Sequence, residues 1–282
     1  MNKLLICTDG SQYSEHACRY AAWLAKNTSL EIHALYVTDL RQYQGSFIAD
    51  LSGSLGIQPY DGMVGQMQEI ENQKAKFVEE QAVNIFEAEG LVERLKFHHE
   101  TGLLVDVIDD FTDEETELII LGKRGENANF ATEHIGSMME RVVRATDRPC
   151  LVTSRAFKPI TKVAVCFDGG ASSRRALQYL ATHLEFRNLE LHLLTVAERH
   201  DEDEAADHLS EAEAILDAAE ITATYQLLNG VVESEIASYV EDADINLLVA
   251  GAYGHSRIRD LLIGSTTTEL LRRCHVPVLC FR

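Results

Sequence analysis

The chain has 282 residues, room for about two domains, and its 46% hydrophobic and 25% charged residues are the balance of an ordinary soluble globular protein. A formal net charge of −20 argues against generic binding to DNA, RNA or anionic membranes, which recruit basic surfaces. No apolar run reaches the ~18 residues that a membrane-spanning helix needs.

The chain opens on Met1-Asn2-Lys3-Leu4-Leu5-Ile6, which lacks the long apolar core and cleavage site of a signal peptide and reads as a first strand. Cys7-Thr8-Asp9-Gly10-Ser11 turns out of it, and a helix carrying Ala17 and Tyr20 follows. A second strand ends near Val37. Residues 39–66, rich in Gly and Ser, are predicted to be an insertion, a loop with a short helix over the sheet, before a helix from Glu69 to Ala88 resumes the pattern. Gly122 and Gly125 then precede Gly136-Ser137, and Pro149 introduces the apolar Leu151-Val152-Thr153. Arg155 to Ile160, with Pro159, forms a linker too short to let its flanks move freely, so the two halves are predicted to pack together.

From Lys162 the unit is written again. Cys166-Phe167-Asp168-Gly169-Gly170 repeats Cys7 to Ser11 at an offset of 159 residues, which also carries Ser14 to Ser173, Ala17 to Ala176, Tyr20 to Tyr179 and Val37 to Val196. Later the offset drops to about 128, carrying Gly102 to Gly230, Gly136-Ser137 to Gly264-Ser265 and Pro149 to Pro277. The first copy therefore holds roughly thirty extra residues between Thr38 and Gly102. Two domains follow, over residues 1–155 and 161–282.

The second copy reads as strand Lys162–Phe167, a helix with Ala176, Leu177, Leu180 and Leu184 in phase, strand Leu189–Val196, helix Ala205–Ala219, strand Thr222–Leu228 ended by Gly230, helix Val232–Asp242, strand Leu247–Ala250, helix Thr266–Arg273 and strand Pro277–Phe281. Alternating strands and helices imply a mainly parallel sheet covered on both faces, an α/β fold. Its ligand edge lies outside the C-terminal ends of the strands. Asp168, Val196, Gly230 and Gly251 all fall at such ends and are candidate ligand contacts. Gly251-Ala252-Tyr253-Gly254, nine residues and Gly264-Ser265-Thr266 follow the fourth strand. The glycines permit close backbone approach, and the start of the following helix suits a phosphate. His255, Arg257 and Arg259 between the clusters add donors. Acidic stretches such as Asp201-Glu202-Asp203-Glu204 read as solvated surface. Cys7, Cys150, Cys166 and Cys280 lie in strand-like runs and read as reduced, buried small hydrophobes, which favours the cytoplasm. Cys274-His275 reads as a helix end, since two adjacent residues do not make a metal site.

The strand ending in Asp-Gly-Ser or Asp-Gly-Gly, the Gly-x2-Gly-x9-Gly-Ser signature and the closing Pro-Val-Leu strand resemble the universal stress protein family, and the resemblance covers essentially the whole chain, twice. It implies two tandem Rossmann-like domains, each a five-stranded mainly parallel sheet with helices on both faces, packed as a pseudo-dimer through their closing strands. It implies a site for ATP, ADP or AMP, with Mg or Mn accompanying ATP. Asp168 would lie near ribose and base, the backbone at Val196 would read adenine, and Gly251, Gly254, Gly264, Ser265 and Thr266 would hold the phosphates. A stress-response or signalling role follows, with an unidentified protein partner, a homodimer as a further assembly, and at most slow ATP hydrolysis. The first copy departs from the pattern. Ten residues separate Gly125 from Gly136, Glu126 stands where the second copy has His255, and Met138 and Met139 replace Thr266 and Thr267. Lys123 and Arg124 add charge that could compensate, and Asp9, Val37 and Ser137 keep a working first site as the alternative, yet the first site is predicted to be degenerate. Two alternatives stand beside nucleotide binding. One is a nucleotide hydrolase of the related α-hydrolase type, although Asp168 to Ser173 does not follow that group's Ser-Gly-Gly-x-Asp-Ser order. The other is a binder of another small ligand between the halves.

Overall fold

The apolar runs at Lys3–Cys7 (β1) and Lys162–Cys166 (β6) are buried almost throughout, as strands of a sheet covered on both faces must be. A computed structural model describes residues 2–26, 28–39, 60–125, 137–183, 186, 188–198, 201–252 and 265–282. After β1 the first half continues with α1 (Gln12–Ala25), β2 (Glu31–Thr38), α2 (Tyr60–Ala88), β3 (Leu95–Thr101), α3 (Leu104–Phe111), β4 (Thr116–Gly122), α4 (Ser137–Ala145) and β5 (Cys150–Thr153). The second half continues from β6 with α5 (Ala171–Thr182), β7 (Glu190–Ala197), α6 (Glu202–Ala218), β8 (Ala223–Asn229), α7 (Val232–Asp242), β9 (Leu247–Gly251), α8 (Ser265–Arg273) and β10 (Val278–Phe281). The strands form one ten-stranded sheet in the order β3-β2-β1-β4-β5-β10-β9-β6-β7-β8. Each half is thus a Rossmann-like doubly wound sheet whose order reverses between its first and fourth strands. In the second half that switch point lies between β6 and β9, where Asp168 and Gly251 sit.

Alternate residues along each strand feed two helical layers. Ile6 and Leu193 pack with Tyr20, Phe86 and Leu177 on one face. Leu5 and Leu194 pack with Val142, Ile236 and Leu271 on the other. All strand neighbours run parallel except β5 and β10, which pair antiparallel with Val278 opposite Val152, Leu279 opposite Leu151 and Cys280 opposite Cys150. The closing strands therefore join the halves, as the sequence implied.

The linker is pinned to α1. The Tyr20 hydroxyl is placed to donate to Ala156 O (3.4 Å) and accepts from Lys158 N (3.3 Å), Phe157 N donates to His16 Nδ1 (3.2 Å), and the Tyr20 and Phe157 rings meet edge to face at 4.8 Å. Tyr179, its counterpart, packs edge to face on Phe281 at the end of β10. Glu117 of β4 and His183 after α5 pair across the junction, and the His183 contact holds the Glu117 carboxyl below the usual range.

One boundary differs from expectation. α2 begins at Tyr60 rather than Glu69, so its first two turns occupy the end of the stretch read as an insertion. The Gly- and Ser-rich composition of residues 39–66 pointed to a loop with a short helix, but Gly62 and Gly65 each cost only about 1 kcal/mol in a helix interior. A 29-residue helix can absorb that when Glu71, Ala75, Val78 and Ala82 anchor it. Residues 40–59 and Leu184 lie outside the described residues.

Candidate functional site

At the switch point of the second half the ends of β6, β7 and β9 diverge from the starts of α6 and α8, leaving a cavity of about 420 Å³. Its floor and walls include Cys166, Asp168, Thr195, Val196, Ile236 and Gly251. Ser265 and Thr266, the first residues of α8, close one side, while Glu198, Asp201, Glu204 and His208 line another.

Local chemistry explains why each group stands there. Gly169 has φ +68°, the left-handed region that favours glycine, and a Cβ there would meet the His208 ring at 2.4 Å. The turn places Asp168 so that its Oδ1 accepts from Gly170 N (2.9 Å) and Ser173 Oγ (2.6 Å), fixing the carboxylate at the head of α5. Gly251 leaves little room as well, since a Cβ would lie 3.1 Å from Ser172 Cβ. Its carbonyl accepts from Thr267 Oγ1 at 2.8 Å, which ties the first turn of α8 to the end of β9. Arg174 grips Glu211 with two bonds, one of 2.8 Å, and locks α5 to α6 beside the cavity. Burial, with Cys274 and then Asp168 adding to it, pushes the Cys166 thiol up.

Asp168, Val196, Gly251, Ser265 and Thr266 thus meet at one cavity. Gly230 does not line it. It ends β8 beside the cavity with φ +146°, donating its N–H to Ala197 O (3.2 Å), and a Cβ there would collide with Glu235. Gly254, His255, Arg257 and Gly264, proposed from the signature, lie outside the described residues, as does Arg259. Residues 201–204 are exposed, as their reading as solvated surface expects, and they also give the cavity an acidic mouth. Asp201 and Glu204 share the cavity wall, and His208 follows Glu204 by one helical turn. That i, i+4 spacing after a strand end was the available signal.

The first half is built differently at the same place. Tyr36 stands where the second half has Thr195, and its hydroxyl donates to Glu71 Oε2 (2.8 Å), a buried carboxylate of α2 that also accepts from Thr38 Oγ1 (3.2 Å). Val78 of α2 lies 3.0 Å from where a Gly10 Cβ would be, and Asp9 Oδ2 lies 2.8 Å from where a Gly125 Cβ would be. Met139 is buried at the position of Thr267, so the tie to the fourth strand is lost. Lys123 does not lend its charge to a phosphate site here. Its ammonium reaches the second half and donates to Cys274 O at 3.0 Å. Among the described residues no cluster of His, Cys, Asp or Glu is placed to hold a metal ion, and all six cysteines are unpaired. No helix among them is long and apolar enough to cross a membrane.

The profile of the Universal stress protein family matches residues 1–154 and again 159–282. The chain is 42% identical over 289 aligned residues to Universal stress protein Slr1230 of Synechocystis sp., with all of both chains covered. It is 27% identical over 165 residues to Universal stress protein MJ0531 of Methanocaldococcus jannaschii, covering 55% of this chain and 84% of that one. Among solved structures, a universal stress protein from Archaeoglobus fulgidus shares the fold over 100% of this chain and 96% of its own, with a TM-score of 0.74 at 24% identity.

Proposed function

The chain belongs to the Universal stress protein family as a tandem member, and from that premise we propose that it binds one adenine nucleotide per chain, in the second half. The polarity of the 420 Å³ cavity carries the reading. Carboxylates line one side, and the start of a helix bearing two hydroxyls forms another. A ligand with hydroxyl and amine donors at one end and an anion at the other matches both. Ribose and base would lie toward Asp168, Val196 and Glu198, and phosphates toward Gly251, Ser265 and Thr266, where free amide N–H groups and the helix dipole favour negative charge. Gly254, His255, Arg257 and Gly264 belong to the same proposal as phosphate contacts, and Gly230 as a turn that shapes its rim. ATP, ADP and AMP all fit the scheme. Mg or Mn would arrive on the phosphates of ATP, since such ions take most of their oxygens from phosphate and water.

The role is binding, with at most slow ATP hydrolysis, since one oxygen of Asp168 is already engaged by Gly170 and Ser173. Ligand occupancy would change what the surface offers a protein partner in stress signalling. Six unpaired thiols fit a reducing cytoplasm. The first half, with Glu71 and Tyr36 at the strand end, serves as a scaffold rather than a second site.

Calorimetry on the full chain with ATP, ADP and AMP, with and without Mg, tests this. A stoichiometry near one is expected, with Asp168→Ala weakening binding at least tenfold (about 1.4 kcal/mol). Two equal sites per chain, or no binding by a folded protein, would refute it. Mass spectrometry of small molecules released from gently purified protein identifies the native ligand.

A further inference from the structure

The helix α8 begins at the phosphate side of the cavity and ends at the boundary between the halves. Its first turn is fixed to the second half by Thr267 Oγ1 on Gly251 O. Its last turn is held from the other half. Lys123 Nζ donates to Cys274 O (3.0 Å) and lies 3.5 Å from Arg272 O, carbonyls that the helix end leaves without an intrahelical partner. The arginines of that turn point their donors elsewhere. Arg272 Nη1 bonds Glu269 Oε2, and Arg273 bonds Glu269 Oε1 and Ser234 Oγ.

Lys123 is well seated for this task. It follows Gly122, the last residue of β4, and its own N–H donates to Thr153 O at 3.2 Å beside the junction strands. Burial brings the ammonium down to about 8. The arrangement is reciprocal in outcome and not in residues. Ala252 occupies the position of Lys123 in the repeat. The last turn of α4 is instead held by Arg282, whose Nη1 donates to Arg144 O (3.0 Å) and which also pairs with Asp147. Each half thus restrains the C-terminus of the other half's glycine-signature helix with a cation.

We propose that Lys123 of the first half is a positioning residue for the phosphate end of the second half's site. The proposal rests on the nucleotide reading above. A nine-residue helix is only about 13 Å long, so restraint at its C-terminus fixes where the N-terminal amides and hydroxyls point. A cation at the C-terminus also favours the helix dipole that faces the phosphate. The first half is then part of the site's working structure without touching the ligand, and the base and ribose contacts on β6 and β7 do not depend on it.

Full-length Lys123→Met and Lys123→Arg proteins test the assignment by calorimetry with ATP and with adenosine, and by hydrogen exchange of α8 amides in ligand-free protein. Lys123→Met is expected to weaken ATP roughly two- to fivefold, to leave adenosine unchanged and to speed exchange in α8. Lys123→Arg, which keeps charge and donors, is expected to restore most of both. An equal loss for ATP and adenosine, or unchanged α8 exchange, would overturn the positioning role while leaving the nucleotide reading intact. Wild-type protein that binds neither ligand would overturn the nucleotide reading and this proposal with it.

Discussion

At Gly169 and Gly90 the backbone makes the same demand and the surroundings differ. Both have φ near +70°, but a Cβ at Gly90 meets nothing within 4 Å, whereas one at Gly169 runs into His208. Alanine at either position is expected to cost about 1–2 kcal/mol from the left-handed conformation alone, read from urea unfolding. His208 can swing aside on its χ angles, so the extra penalty at Gly169 should appear in ligand affinity rather than in stability. Calorimetry that finds Gly169→Ala binding as tightly as wild type would remove His208 and the glycine turn from the site. A second residue-scale expectation concerns pH. His98 Nε2 lies 3.2 Å from His33 Nδ1, and their rings stack at 5.0 Å. Burial lowers both pKa values from 6.5. For His33 the Glu31 carboxylate opposes the shift and Lys3 and Lys96 add to it, while for His98 the neighbouring His33 and both lysines add and Glu100 opposes. The unfolded chain therefore takes up protons more readily than the folded one. Stability from this pair is fully present above about pH 6.5 and is lost as pH falls through that value toward the lower folded pKa values. The urea midpoint should drop between pH 7.5 and 5.5, and less in a His98→Asn protein. A midpoint equally pH-sensitive in that variant would assign the effect to other groups.

Elements were legible where the pattern was local. In the second half each helix and strand stands within a few residues of its reading, because Ala176, Leu177 and Leu180, or Ile236 and Val240, mark a buried face without help from elsewhere. The start of α2 was not legible, since Gly62 and Gly65 argue for a loop and only the anchoring of Glu71 and Val78 by the sheet overrides them. The acidic mouth was hidden for another reason. Asp201 and Glu204 carry the same charge as Glu202 and Asp203, and only the direction of α6 tells which of them face the cavity. The contact of Lys123 was not legible because its partners lie about 150 residues on, beyond what spacing reveals. The strand-to-helix tie at Thr267 is a further element-scale feature. Thr267→Val keeps the shape and leaves the Gly251 carbonyl without its donor, at an expected cost of about 1–2 kcal/mol. A larger proportional loss in ATP than in adenosine affinity is expected, because α8 moves and β6 does not. Equal losses would show that the tie serves stability alone.

Across the whole molecule the junction is an ordinary interior of a sheet. β10 has β5 on one side and β9 on the other, so the Leu279 N–H points at a neighbour whichever way it faces. Leu279→Pro removes that donor from a central strand, where proline is scarcely tolerated. The variant is expected to lose cooperative unfolding, with a clear increase in radius of gyration by small-angle scattering. An unchanged scattering profile would mean that the halves hold together without the strand pairing. Fusing the repeats also changes the law that governs their association. Two separate chains pairing through β5 and β10 would part on dilution, and their ligand sites would weaken with them. Here residues 154–161, pinned on Tyr20 and His16, keep each half at an effective concentration set by the tether instead of by abundance. The pairing becomes unimolecular, and a cell that makes a few copies of this protein has the same fully assembled site as one that makes thousands.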